Sequence, residues 1–532
     1  MSSDLMILKP DVVIEPLVSR WHAWSHLISP ATSALNLQFR LLAQMESFVS
    51  DPALHELALK NPSLRGGPFV DLPVDQADQV KELVQITKTN QQDLISFGLA
   101  LKEAFNQVMK HGDGSSLEPL YAQLPEAVRG YVELSYSLGG YPDLRIIESL
   151  LYLSPLYDTN NQSAMIYRQA GDDRPFVFST PRLSHPSAID LNLPFKSPIY
   201  DFLASLRSVP QGLDFIIEKL GFSGSDKELF LSFLEPASSS KNALVKPEKD
   251  RIRWRYFGHA CVLIESPDGC NVLIDPVVAY DDANGIARYT IRDLPEKIDY
   301  VVLTHNHSDH VALETLLALR WKIGTIIVPT SGGSLADPSL KLMLKAIGFK
   351  QIVELGPMDS ISHSDVEITA IPFLGEHGDL DIRSKAAWLV KIADKKLLFA
   401  ADSNNLDPKL YDFIHRAVGS IDTLFIGMEC QGAPMSWVYG PLLPMSLDRK
   451  KDQTRRLNGS DFPRAMKVVE SLQCKKVFVY AMGMEPWMQY ITSIDPSEDT
   501  PPMVNSTAFV KALKEQGIPA LRLYGQYELY EN

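Results

Sequence analysis

Asp299-Tyr300-Val301-Val302-Leu303-Thr304-His305-Asn306-His307-Ser308-Asp309-His310 is the stretch whose reading decides the fold. Its first half is β-branched and apolar, and reads as a buried strand that ends at Thr304. Three imidazoles and one carboxylate follow at once. In extended chain, side chains two apart share a face, so His305 and His307 can grip one ion. As the chain begins to coil, Asp309 and His310 turn toward a different spot, where a second ion could sit. Burying so many polar donors is costly unless a cation offsets that cost. Residues 311–320 then read as an amphipathic helix.

Two upstream pieces belong with this motif: Tyr256-Phe257-Gly258-His259-Ala260 and Val272-Leu273-Ile274-Asp275-Pro276. Together with His-x-His-x-Asp-His after an apolar strand, they resemble the signature of the metallo-β-lactamase fold. The resemblance implies an α/β chain whose C-terminal part is an αββα sandwich, with a dinuclear metal site at one edge.

Composition narrows the class. The chain has 532 residues, 45% hydrophobic and 22% charged, as in an ordinary globular protein that can bury a large core. Its 51 basic and 65 acidic residues give a net charge of −14, which argues against nucleic acid as a partner. Cys261, Cys270, Cys430 and Cys474 form no CxxC pair and no disulfide framework, so reduced thiols in a cytoplasmic protein are expected. The first residues carry acids and prolines where a signal peptide needs an apolar run, and no stretch is long and apolar enough for a membrane span.

Residues 1–235 read as a mostly helical α+β domain with no motif tied to chemistry. Helical spacing recurs over 35–49, 80–86, 91–110, 146–153, 199–207, 213–220 and 226–234; residues 164–168 and 175–179 read as short strands. His22 and His26 lie four apart on a possible helix, a packed pair rather than a metal site. Residues 236–250, small, polar and bounded by proline, read as the linker, and 251–532 as the catalytic domain.

Strand and helix alternate beyond the linker. His259 follows Gly258 in a tight loop and reads as a partner of a ligand rather than a ligand. Asp275 reads either as a strand-end cap or as the acceptor that fixes a liganding imidazole. The strand over 366–371 runs into Pro372-Phe373-Leu374-Gly375-Glu376-His377-Gly378, where Glu376 and His377 both offer themselves and would face opposite ways. Residues 386–392 and 396–401 resemble a hairpin, with Asp402 at its end; in the fold that carboxylate bridges both ions. Hydrolytic members supply a late histidine to the second ion. Here only His415 follows Asp402, inside a helical pattern over 408–418.

His305, His307, His310, Asp309, Glu376 and Asp402 would make a site of three imidazoles and three carboxylates. Oxygen-rich donors favour a harder, redox-active ion over zinc. The full length, with its large N-terminal domain, its glutamate-bearing loop and no late histidine, is similar to the diiron β-hydroxylase family of nonribosomal peptide biosynthesis, of the chloramphenicol-pathway type. That resemblance implies two Fe ions, oxo- or carboxylate-bridged. His305, His307 and Glu376 would hold one, Asp309 and His310 the other, with Asp402 between; Glu376 and Asp402 would be the catalytic carboxylates. It implies an O₂-dependent monooxygenase fed by an external electron donor, which β-hydroxylates an amino acid held as a thioester on a peptide-synthetase carrier domain. The N-terminal domain would serve carrier docking, homodimer formation or shaping of the arm channel. A zinc- or manganese-dependent hydrolase of the same fold, of lactonase or phosphodiesterase type, is the rival; His377 as a ligand would support it. Two further stretches invite a role. Arg449-Lys450-Lys451 with Arg455-Arg456 could meet the arm's phosphate or an acidic carrier helix, or be a solvated run. The Met-rich loops at 435–437 and 482–488 could wall a pocket or fill core.

Overall fold

The computed structural model describes residues 5–531 apart from 240–246, 249, 283 and 495–496, so the expected linker lies partly outside the described residues. Its C-terminal strands are made from unbroken apolar runs. Thr423–Gly427, for example, reads TLFIG and is buried throughout. A strand covered on both faces has no polar side to show, so alternation disappears.

Two seven-stranded sheets result. In spatial order the first runs Ile352–Leu355, Ile323–Pro329, Ile298–Val302, Asn271–Ile274, Cys261–Glu265, Ile252–Gly258 and Tyr527–Glu531. The second runs Ser360–His363, Val366–Ile371, Ala387–Ile392, Lys395–Phe399, Thr423–Gly427, Lys476–Tyr480 and Ala520–Arg522. The last strand of the chain returns to pair with Ile252–Gly258 and closes the first sheet. Trp254, Trp388, Phe399, Phe425 and Phe478 fill the space between the sheets, with Phe399 stacked on Phe425 at 4.5 Å. Helices Lys409–Val418, Phe462–Leu472 and Pro501–Glu515 cover the outer face of the second sheet. The expected αββα sandwich is present, and 387–392 pairs with 395–399 as the expected hairpin.

The outer face of the first sheet is covered differently. Its helix is Leu313–Leu319, shorter than the expected span, and all seven residues are buried. It is not amphipathic, because the N-terminal half packs over the side that would have faced water. One apolar core therefore runs from Leu273, Val301 and Ile326 through Leu313 and Leu316 into Val12, Leu203 and Phe195.

That N-terminal half is mainly helical but carries more sheet than its sequence advertises. An antiparallel sheet is ordered Trp21–His22, Val12–Val18, Gln162–Arg168, Ala188–Leu191. Val12–Val18 hides itself: it is buried at every position yet contains Glu15 and Pro16. Pro30–Asn36 and Leu42–Ser50 form one helical run, interrupted by a wider π turn at Leu37–Leu41. Three expectations fail here. Residues 175–179 form no strand, because Val177 N–H donates to Tyr490 O and Thr180 N–H to Phe176 O. Ile146 ends the strand Pro142–Ile146, leaving a helix only at Glu148–Leu151. His22 lies in a strand and His26 in the helix Ser25–Ile28, so they share no helix face.

The two halves meet at a buried polar cluster. Glu15, fully buried, accepts from Arg182 Nε and His22 Nδ1 at 2.9 Å each and from Tyr167 Oη at 2.9 Å. Arg174 reaches Glu15 at 3.3 Å and grips Glu314 through both terminal nitrogens at 3.0 and 2.7 Å. Burial works against the charge on Glu15, but Arg182 and Arg174 together hold its carboxyl well below the ordinary range. Arg174→Met would leave two buried carboxylates short of a cation. It is expected to cost about 3–5 kcal/mol, read as a lower thermal unfolding midpoint; an unchanged midpoint would show that the cluster does not tie the halves together.

Candidate metal centre

Strand ends build this site. Ile298–Val302 delivers Thr304 to the foot of Asn271–Ile274, where Asp275 is fully buried. Asp275 accepts from Thr304 N–H at 2.7 Å, from Thr304 Oγ1 at 2.6 Å and from His310 Nδ1 at 2.7 Å. It is cap and orienting acceptor at once, so both readings of this residue hold. Because the Thr304 hydroxyl donates to Asp275, it accepts from His305 Nδ1 at 3.0 Å. Both imidazoles thus carry their protons on Nδ1 and aim Nε2 lone pairs into the site.

His307 points the opposite nitrogen inward. Its Nε2 is 3.0 Å from Tyr439 Oη and its Nδ1 is 2.7 Å from Glu376 Oε1. Glu376 Oε2 stands 3.7 Å from His305 Nε2, while His310 Nε2 is 3.2 Å from Asp402 Oδ2 and 4.0 Å from Asp309 Oδ2. Lone pairs facing carboxylates at such distances repel unless a cation or a proton lies between them. His305 Nε2 and Asp402 Oδ1 are buried without any hydrogen-bond partner. His305, His307 and Glu376 place donor atoms within 4.8 Å of one another, as do His305, His310 and Asp402. These orphaned atoms and this mix of nitrogen and oxygen donors fit two cations.

Electrostatics agree. Burial, with His310 and His307 nearby, keeps His305 well below its ordinary value and so neutral. Burial opposes charge on His310 too, but Asp402, Asp275 and Asp309 outweigh it and push its pKa up, so a proton between Nε2 and Asp402 Oδ2 holds the place that a metal ion would take. Glu376 is held at about 2: burial works against the anion, and His307 and His377 overcome it.

His259, Asp309 and His310 form another compact group. His259 Nδ1 accepts from Gly483 N–H at 3.1 Å, so its proton sits on Nε2, 3.3 Å from Asp309 Oδ2. It steadies a carboxylate and has no lone pair left for a metal. His377 is buried beside Glu376, with Nδ1 2.9 Å from Oε2, but belongs to none of the compact groups among the described residues. Only Glu376 of the two sits among the donors. Its φ of 72° follows Gly375 at 80°, and His259, Asp275 and Ala401 also adopt left-handed backbone. Such bends cost energy and cluster where strand ends must aim side chains at a site. Gly427 makes room as well: a Cβ there would lie 2.6 Å from Asp402 Oδ1.

The donors open onto a cavity of about 580 Å³ walled by both halves of the chain: Trp24, Pro68 and Phe178 from one side, Trp437, Leu457 and Ile494 from the other. His26, stacked on Trp24 at 4.8 Å, is kept neutral, its pKa lowered to about 3 by burial and by nearby His307 and Arg40. Trp437 lies in a loop that the sequence offers as a pocket wall; no local motif announces the other wall residues, nor Thr304 or Tyr439 as partners of the histidines. Of the two Met-rich loops, Trp437 lines this cavity, while Met482 and Met484 line a smaller neighbour of about 160 Å³. Arg456 borders the main cavity; Arg449–Asp452 is a short exposed helix away from it. His415 bonds Ser420 at 3.3 Å on its helix, so the site indeed lacks a late imidazole among the described residues.

Comparison with known proteins points one way. Residues 7–237 match the diiron non-heme beta-hydroxylase N-terminal domain, and 270–438 a beta-lactamase superfamily domain. The 4-amino-L-phenylalanyl-[CmlP-peptidyl-carrier-protein] 3-hydroxylase of Streptomyces venezuelae is 37% identical, over 97% of this chain and 98% of that one. The crystal structure of CmlA, a diiron beta-hydroxylase from Streptomyces venezuelae, superposes with a TM-score of 0.92 at 37% identity, covering 100% of both chains. A metal-dependent hydrolase of Enterococcus faecalis is 25% identical over only 27% of this chain and 61% of its own.

If Asp275 sets the two tautomers, Asp275→Asn should lower metal affinity by about 10–100-fold, measured by competition with a chelator. His259→Gln should leave the metal stoichiometry intact. Loss of metal in the His259 variant alone would reverse the two roles.

Proposed function

The chain belongs to the diiron non-heme β-hydroxylase family, and from this premise we propose that it hydroxylates the β-carbon of an amino acid tethered as a thioester to a peptide-synthetase carrier domain. The relative matched over nearly its full length acts on an aminoacyl carrier protein, and a cavity that ends at the metal donors suits delivery by an arm. Its cofactor is a pair of iron ions, and His305, His307 and Glu376 would hold one, Asp309 and His310 the other, with Asp402 shared. The convergence of neutral His305 Nε2 with the Glu376 carboxylate and the orphaned Asp402 Oδ1 is the observation that carries this assignment. When bound and supplied with two electrons by an external donor, the iron pair would supply activation of dioxygen, one oxygen atom going to the β-carbon and the other to water.

The protein's own work is positional. Asp275 and Thr304 fix which nitrogen of His305 and His310 faces the site; Tyr439 does so for His307. Trp24, Phe178, Trp437 and Leu457 give the cavity apolar walls, which disfavours water beside the reacting carbon. Cytoplasmic residence is supported by four unpaired cysteines, with burial pushing Cys261, Cys270 and Cys474 up and out of reactivity. No helix among the described residues is long and apolar enough to cross a membrane. A homodimer is supported by the exposed apolar residues Leu138, Tyr141, Leu150 and Leu153 in the N-terminal half.

Reduced, iron-loaded protein given O₂ and aminoacyl carriers should add one oxygen atom to the carrier-bound amino acid and none to the free amino acid, read by mass spectrometry. Glu376→Gln should cut that yield by roughly tenfold or more, with a matching loss of iron affinity. Equal turnover of the free amino acid would remove the tether from this reading, and a zinc-only protein that cleaves esters would replace it with hydrolysis.

A further inference from the structure

Four carboxylates line the main cavity: Asp309, Glu376, Asp402 and Glu429. Three of them stand in compact groups with histidines, whereas Glu429 belongs to none. It follows Thr423–Gly427 on the loop after that strand, so it comes to the cavity from a strand end, as Asp402 does. Gly459 holds the loop in place: its N–H donates to Glu429 O at 2.8 Å. A Cβ on Gly459 would lie 3.4 Å from Glu429 O and 3.5 Å from Asp402 O, so the two acidic residues are close neighbours.

The Glu429 carboxylate is poorly compensated. It accepts a long hydrogen bond, 3.3 Å from Gln431 N–H, and among the described residues no Lys, Arg or His nitrogen forms an ion pair with it. It is only half-buried by surface area, but the uncovered part faces the main cavity and the small apolar one beside it, both of which it lines. The Arg456 guanidinium borders the main cavity and acts on Glu429 through space, but forms no ion pair with it. A desolvated carboxylate with no ion-pair partner costs stability unless something positive arrives. Every aminoacyl thioester brings such a group. Its α-ammonium is two bonds from the β-carbon, so holding the nitrogen places the carbon that reacts.

Resting on the β-hydroxylation reading, we propose that Glu429 receives the α-ammonium group of the carrier-bound amino acid and thereby sets the β-carbon against the metal edge of the cavity. The side chain of the amino acid then points into the apolar neighbour lined by Met482, Met484 and Met503. Glu429 is a substrate-positioning carboxylate and holds no metal.

The test compares binding of two carriers to the oxidised, iron-loaded protein. One is charged with 4-amino-L-phenylalanine, the other with the same acyl group lacking its α-amino substituent. The wild-type protein should prefer the amino form by roughly tenfold or more, the range of a charge-assisted hydrogen bond. Glu429→Gln should abolish that preference by weakening the amino form alone, with iron content and visible absorption unchanged. Equal affinity of the wild-type protein for both carriers would overturn the proposal. So would a Glu429→Gln protein that keeps the preference, weakens both carriers alike or loses iron. The hydroxylation reading fails separately: the amino preference would persist while the carrier-bound amino acid gains no oxygen.

Discussion

Everything at the metal edge depends on the buried carboxylate of Asp275. Through one hydroxyl and one ring nitrogen it decides which lone pairs of His305 and His310 face inward, and through the Thr304 amide it fixes where the strand stops. An acidic group without solvent is tolerable only because three donors surround it. The donors then converge with a surplus of orphaned oxygen and nitrogen atoms, which is how a fold stores readiness for a cation. Tyr439 and the His259–Asp309 contact extend the same logic outward, each spending one polar group to aim another.

The second organising fact is the cover. In the sandwich, the helix Leu313–Leu319 is enclosed on all sides, and Glu314 within it would be untenable without Arg174 from the opposite half. The N-terminal residues that pack there also send Trp24 and Phe178 to the cavity. This chain thereby adds an N-terminal wall to the strand-end donors of the sandwich.

The sandwich and the donor set were legible because they are local. Val301-Val302-Leu303 followed by alternating ligands says strand and site together, and 366–371 emerges with the boundaries its apolar run suggests. Asp275 and His259 could be noticed but not assigned, since their roles depend on tautomers that only three-dimensional partners fix. Val12–Val18 escaped notice because its one acid is neutralised from residues 174 and 182, far along the chain. Residues 175–179 misled for the converse reason: their backbone partner is Tyr490. Trp437 could be suspected as a pocket wall, but Gly66 and Ile494 could not, as they meet it only in the folded chain.

Because one apolar core spans both halves and the cavity takes a wall from each, the catalytic unit is the entire polypeptide. A chimaera that exchanged either half at residues 236–250 would keep its sandwich and its donors, yet inherit a mismatched seam at Arg174 and Glu314 and a reshaped chamber. Diversification of such an enzyme toward new amino acids must therefore proceed by paired changes on opposite sides of that seam, which makes modular shuffling a poor route to altered selectivity.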